Sequence, residues 1–394
     1  MSQYTFIDAD THITEPPDVW TSRVPARWKD DVPQVRWDAD AQEEMWVVGG
    51  KTLMPVGMTA LAGFDGKFPQ HPARYEDAHP GSYDASARLR YMDEIGCAAQ
   101  VLYPNVGGFG SQLFLRLPDE ELKLACVRAY NDFQLDWISP DPSRFAAVMA
   151  VPFWDVDAAV REVERCAGLG HRGILFTASP QDFGLPYLAD RHWDRFWAAA
   201  QATGLPISFH IGSGDDISEM TPGRVESMGM AGAYALSSCK LFLGLGMQLS
   251  DLLLSGVPAR FPDLKFVSVE SGIGWVPFVL EAADYSLAQG EVSERHVFDL
   301  KPSEYFHRQV YACYWFEKDA PRYFEQVGVD KILFETDFPH PTCLYGNVSE
   351  TIEAGLGSQT EQVRQKILYE NSARLYGLDP STASGAMAKS SGHS

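Results

Sequence analysis

The chain of 394 residues is short of cysteine and of positive charge. Its six cysteines, at 97, 126, 166, 239, 313 and 343, contain no CxxC pair. That argues against a cysteine zinc site and for free thiols in a reducing compartment rather than a disulfide framework. Against 53 acidic residues stand only 32 basic ones, a formal charge of −21. Such a surface repels phosphate backbones and anionic lipid, so neither nucleic acid nor a membrane surface is an expected partner. No GxGxxG follows the first apolar run, which lowers the case for a doubly wound dinucleotide-binding sheet. MSQYTFIDADTH at the N-terminus lacks a basic stretch leading into an apolar one, so no secretory signal is read and a cytoplasmic location is expected. No apolar run is long and unbroken: the longest, Met228 to Val257, is interrupted by Lys240, Gln248 and Asp251. A buried helix pair is expected there rather than a membrane span, with a part in a homodimer.

What is present is a hydrophobic fraction of 45% with 12% aromatics, ample for a large core. Strand and helix signals alternate along it. Short apolar runs at 4–8, 100–103, 145–151, 173–177, 206–210, 265–270, 309–313 and 331–336 read as eight strands. Helical periodicity separates them. Asp84 is placed to cap a helix with Leu89, Met92 and Ile95 on its apolar face and Gly96 at its end. Further helices are expected over 118–137, 157–166, 193–202, 228–256, 275–287 and 320–326. Eight such units predict a (β/α)8 barrel in one domain spanning 1–378. Residues 13–83 interrupt the repeat as an insertion after strand 1, with a hairpin over 45–53, and an insertion of this length is expected to wall or lid the pocket. The tail 379–394 is small and polar, is expected to be disordered, and makes His393 no candidate.

Barrel enzymes carry their chemistry at the carboxyl ends of the strands. Asp10 and His12 follow strand 1, His210 closes ISFH, and Asp337 lies in ILFETDFPH. Singly each has an ordinary reading: a helix cap, a surface or core histidine. Together they form a set of imidazoles and carboxylates suited to a divalent metal. Asp10 and His12 are two apart and so share a strand face. Glu270 ends strand 6, where a carboxyl in apolar surroundings must pair, ligate or carry a proton. His340 is three residues past Asp337 and can orient a ligand or move a proton. Glu15 is a weaker candidate beside Pro16 and Pro17, and Asp215 and Asp216 read as loop solvation or caps.

The pieces IDADTHITEPPDVW, GLPISFHIGSG, FPDLKFVSVESGIGW and FETDFPHP resemble the amidohydrolase-related branch of the amidohydrolase superfamily, which includes aminocarboxymuconate-semialdehyde and γ-resorcylate decarboxylases. The resemblance spans about residues 4–375. It implies that Asp10, His12, His210 and Asp337 hold the metal. Many members have histidine where this chain has Asp10 and, on strand 6, where it has Glu270. Strand 4 offers no lysine for carboxylation, so the usual bridged binuclear site is not expected. With Asp10, Glu270, Asp337 and the nearby Glu335 the expected site is rich in oxygen, and zinc, manganese and ferrous iron all suit it.

The resulting expectation is a metal-dependent hydrolase or non-oxidative decarboxylase acting on a hydrophobic organic acid or its derivative, with Glu270 and His340 as proton carriers. One metal ion is expected. If Glu270 ligates instead, a second ion is accommodated, and the alternative is a nonheme diiron monooxygenase hydroxylating a terpenoid- or steroid-like acid or its CoA thioester. A third reading, a catalytically inert barrel acting as a scaffold, is disfavoured because every ligand position holds a competent ligand. Trp20, Tyr103 and Trp275 are the substrate-binding candidates, with Phe64, Phe109 and Phe114 also expected near the mouth; the ordinary alternative for all of them is the core.

Overall fold

The computed structural model describes residues 4–214, 220–291 and 298–379. Asp215, Asp216 and the tail containing His393 lie outside the described residues. Along the chain the strands are β1 (Phe6–His12), β2 (Gln34–Asp38), β3 (Glu43–Val48), β4 (Lys51–Pro55), β5 (Cys97–Tyr103), β6 (Phe145–Met149), β7 (Gly173–Leu175), β8 (Ile207–His210), β9 (Phe266–Val269), β10 (Val310–Tyr314) and β11 (Ile332–Phe334). Eight of them form one sheet in the order β1-β5-β6-β7-β8-β9-β10-β11. Every neighbouring pair in it is parallel. All residues of these eight strands are buried, as parallel strands covered on both faces require.

The sheet closes where its ends meet. Asp337 donates its backbone N–H to the Asp10 carbonyl at 3.0 Å, and His12 donates to Phe338 at 2.8 Å. This makes the predicted (β/α)8 barrel, and its seam runs through the motif residues of the first and last strands. Register between β1 and β5 slips between Asp8 and Thr11. A bulge of this kind bends a strand and re-aims its side chains. β1 therefore extends to His12, beyond the predicted end at Asp8, because backbone pairing on both sides outweighs the polar character of Asp8, Asp10 and His12.

Crossovers are made by α1 (Ala85–Ile95), α2 (Glu120–Trp137), α3 (Val156–Leu169), α4 (Asp194–Thr203), α5 (Pro222–Leu254), α6 (Val257–Arg260), α7 (Val276–Gln289), α8 (Pro302–Gln309) and α9 (Phe324–Val327). After the last strand come α10 (Val348–Leu356), α11 (Glu361–Gln365) and α12 (Asn371–Tyr376). Asp84 caps α1 by accepting from Ala87 N–H at 2.6 Å, and Gly96 ends it in the left-handed region at φ 79°. In the insertion, β2, β3 and β4 form an antiparallel sheet. Its tight turn uses Gly49 and Gly50, both at positive φ, as a two-residue hairpin needs.

The segment 228–256 departs from expectation. Pro222–Leu254, α5, is two helical stretches that meet at a kink at Gly229 (φ 75°, ψ 165°), so the expected segment is essentially the second stretch and not a buried pair. Only 17% of its most apolar window is buried, and by length and composition alone it is apolar enough to cross a membrane. Apolar and small residues alternate around the whole helix without a single stripe, so one flank packs on the barrel while Leu243 and Met247 face outward.

Arg88 on α1 is buried, with no carboxylate partner among the described residues. It donates to the carbonyls of Gly81 and His12 and, at 2.9 Å, to Gln100 Oε1, and its guanidinium lies 4.5 Å from the Phe338 ring centroid. It thus tethers the backbone of His12 to the barrel wall. Arg88→Leu strands three buried acceptors, each costing about 1–3 kcal/mol. A clear downward shift of the urea midpoint is expected, and an unchanged midpoint would contradict this role.

Candidate metal centre

β1, β8 and the end of β11 each deliver polar side chains to one buried point at the barrel mouth. His12 Nε2 is 3.4 Å from Asp10 Oδ1 and 3.6 Å from Asp337 Oδ1, and His210 Nε2 is 3.5 Å from Asp10 Oδ2 and 3.5 Å from Glu270 Oε2. Ligand bonds of about 2.1 Å in a tetrahedron give edges of roughly 3.4 Å, so these separations fit donors around one ion. Donor atoms of Asp10, His12, His210 and Glu270 all lie within 4.8 Å of one another, as do those of His12, Glu270, Asp337 and His340.

Orientation is set from behind. His12 Nδ1 lies 3.1 Å from the Pro104 carbonyl, and His210 Nδ1 lies 2.8 Å from that of Ile211. A carbonyl only accepts, so each Nδ1 carries the hydrogen and each Nε2 presents a lone pair to the centre. Thr342 Oγ1 donates to Asp337 Oδ2 at 2.8 Å, leaving Oδ1 to face inward. Five buried acceptors therefore converge without a hydrogen-bond partner: both oxygens of Asp10, Nε2 of His12, Nε2 of His210 and Oδ1 of Asp337. Buried lone pairs facing one another without a donor are unfavourable unless a cation sits among them.

Two of the carboxylates sit on unusual backbone. Glu270 (φ 60°) and Asp337 (φ 61°) are non-glycine residues in the left-handed region. Such conformations cost about 1–3 kcal/mol and persist where the surroundings impose them. Glu335, expected among the ligands, lies behind the centre instead; its Oε2 accepts from the Glu270 N–H at 3.2 Å.

Burial and the neighbouring Asp337 and Asp10 hold the Glu270 carboxyl well above the ordinary carboxylate range. Burial, then Asp10, also raises Asp337. Asp10 moves the other way: burial alone would raise it, but His210 and His12 together hold it below its usual value. Burial, reinforced by His340, lowers His12 to about 3. Burial likewise lowers His340 to about 3.

His340 stacks on His12 with centroids 3.8 Å apart. Its Nε2 is 2.7 Å from Asn105 Oδ1, and its Nδ1 is 2.7 Å from Asp337 Oδ1. Phe109, on the loop after β5, stacks on His210 at 4.4 Å and meets His12 edge-on at 5.2 Å, forming an apolar wall beside the centre.

The aromatic candidates divide. Tyr103 lies under the imidazoles, its ring 5.3 Å from that of His210, but its hydroxyl is turned away to Ser208 at 2.9 Å. Trp275 packs on Gly246 of α5, where an added Cβ would meet it at 3.0 Å, and donates to the Ser271 carbonyl. Trp20 is a core residue, fully buried against Trp46 and Phe114, with its indole N–H on the Cys126 carbonyl. Phe64 stands at the surface with 37% exposure. Residues not anticipated are Asn105, Thr342 and Tyr234. Asn105 follows Tyr103-Pro104 at a strand end and so carried the same signal as the chosen residues. Tyr234, raised to about 12 by burial and then by Asp337 and Glu270, comes from the middle of α5, where nothing local marks it.

Five unpartnered acceptors predict that the protein isolated without added metal contains a divalent ion, and that His210→Ala and Asp10→Ala lose most of it in elemental analysis. Chelation should lower the thermal midpoint and readdition restore it, since an ion at a hundredfold excess over Kd adds about 2.7 kcal/mol. A midpoint indifferent to chelator would count against the centre.

Residues 7–378 match the family described as amidohydrolase. A γ-resorcylate decarboxylase from a Polaromonas strain is 24% identical over 302 residues, covering 74% of this chain and 87% of that protein. Among solved structures, an amidohydrolase from Mycobacterium avium subsp. paratuberculosis superposes with a TM-score of 0.73 at 24% identity, covering 96% of this chain and all of the other (100%). A dihydroxybenzoic acid decarboxylase from Polaromonas, crystallised with manganese and 2-nitroresorcinol, has a TM-score of 0.61 at 19% identity, with 96% and 99% coverage. With the match running through nearly the whole barrel and the donor set at its mouth, the chain belongs to the amidohydrolase family and is a metal-dependent enzyme of it.

Proposed function

We propose that this enzyme is a non-oxidative decarboxylase of a hydroxylated aromatic acid, with Asp10, His12, His210 and Asp337 holding one divalent ion. The observation that carries the reading is the juxtaposition of five unpartnered acceptors with the Glu270 carboxyl, whose Oε2 lies 3.5 Å from His210 Nε2 and which burial and neighbouring carboxylates raise above its usual range. The names of the relatives support decarboxylation over hydrolysis, and the diiron-oxygenase alternative finds no support among them. Manganese in the Polaromonas decarboxylase favours that ion over zinc or iron.

When bound, the ion would polarise a carboxylate or phenolic oxygen of the substrate. The chain's own groups supply the rest. Phe109 offers a ring face beside the centre against which an aromatic substrate can lie. Buried walls exclude water and, with Asp337 and Asp10 beside it, hold the Glu270 carboxyl well above its ordinary range, so it can serve as the acid that delivers a proton. As the bond to the carboxylate breaks, its electron pair stays on the ring carbon and takes that proton, and carbon dioxide leaves. His340, against Asp337, is placed to return a proton for the next turnover.

Free thiols at all six cysteines support the cytoplasmic expectation. The outward-facing Leu243 and Met247 of α5 support a homodimer.

Carbon dioxide release from 2,6-dihydroxybenzoate and related hydroxybenzoates by the manganese-loaded protein tests the reading. Glu270→Gln should retain metal and lower kcat by about 10²–10⁴. Undiminished turnover in that variant would remove Glu270 as the proton donor.

A further inference from the structure

Access to the metal centre is one-sided. Asp10, His12, His210 and Asp337 are sealed from solvent, whereas Glu270 and His340 each keep 6% of their surface exposed. A substrate therefore reaches the centre past these two side chains. Tyr234, from the middle of α5, stands at that opening. Its hydroxyl hydrogen-bonds with Thr342 and lies within electrostatic reach of Asp337 and Glu270. Thr342 is in turn the residue whose Oγ1 meets Asp337 Oδ2 at 2.8 Å.

Segments far apart in the chain fix the phenol there. The insertion is tied to the loop after β11 by the Ala62 N–H, which donates to the Pro339 carbonyl at 3.1 Å. Further along the same insertion, Phe68 stacks on the Tyr234 ring, with centroids 4.3 Å apart and planes 19° from parallel. On α5 itself, Ala233 and Ser237 beside Tyr234 are buried, and Gly246 seats the later turns against Trp275. The ring is thus held by apolar packing while its polar end is turned to the centre, the division of labour expected of a tyrosine that meets a ligand.

The surroundings choose what that polar end can meet. An anionic oxygen placed beside Asp337 and Glu270, away from the ion, is repelled, whereas a neutral hydroxyl pairs with a phenol as donor or as acceptor. We propose that Tyr234 is a specificity-determining residue whose hydroxyl hydrogen-bonds a ring hydroxyl of the bound aromatic acid. The proposal rests on the reading of that acid as hydroxylated, and it names the side chain that recognises the hydroxyl. A site that pairs with a substrate hydroxyl rejects the analogue lacking it, because its own polar group is then left unmatched.

The test is calorimetric titration of the manganese-loaded protein with two ligands that cannot lose carbon dioxide, 2-nitroresorcinol and 2-nitrophenol, which differ by one ring hydroxyl. The native protein should bind 2-nitroresorcinol about tenfold more tightly. Tyr234→Phe, which keeps the ring on Phe68 and removes only the hydroxyl, should bring the ratio of the two Kd values close to one with manganese content unchanged. A native protein without the preference overturns the proposal, and so does a variant that weakens both ligands equally, the result expected if the hydroxyl only supports the fold. If the ratio collapses but the native protein releases no carbon dioxide from 2,6-dihydroxybenzoate, the contact stands and the decarboxylase reading falls. If carbon dioxide is released and the ratio survives Tyr234→Phe, that reading stands and the contact falls.

Discussion

Five buried lone pairs that face one another with no donor among them govern the rest of the structure. They belong to side chains at the seam where the first and last strands close the barrel, held there by backbone hydrogen bonds from Asp337 to Asp10 and from His12 to Phe338. Closing the barrel and assembling the centre are therefore one event. A cation in the centre ties the two ends of the sheet together, and an empty one leaves mutually repelling oxygens and nitrogens across the join.

The same crowding sorts the protons. Imidazoles beside Asp10 keep it ionised, while burial and neighbouring carboxylates push Glu270 and Asp337 upward. Groups of one chemical kind within one cavity are thus driven apart, the usual way an enzyme obtains an acid and a ligand from identical side chains. The left-handed backbone at Glu270 and Asp337 belongs to this arrangement: relaxing either would swing its carboxylate away from the centre.

Much of this was legible in residue order alone. Eight apolar runs separated by helical periodicity gave the barrel, and polar residues at four strand ends gave the centre, because burying a charged group at the end of an apolar strand is costly without a ligand. The caps Asp84 and Gly96 fell where expected. Other features were not local properties. Trp20 and Tyr103 have the same aromatic character, yet one packs in the core and the other lies under the imidazoles, and only tertiary contacts separate them. Nothing within α5 indicates which flank meets the barrel, so its exposed apolar side chains were missed. Tyr234 reaches the site from the middle of that helix, and Asn105 gains its meaning from His340, which is 235 positions away.

The central claim is tested most directly by anomalous diffraction from crystals of the manganese-loaded enzyme. The account predicts a peak at roughly 2.0–2.3 Å from Nε2 of His12, Nε2 of His210 and carboxylate oxygens of Asp10 and Asp337. A peak elsewhere on the molecule, with these side chains turned from one another, would contradict it.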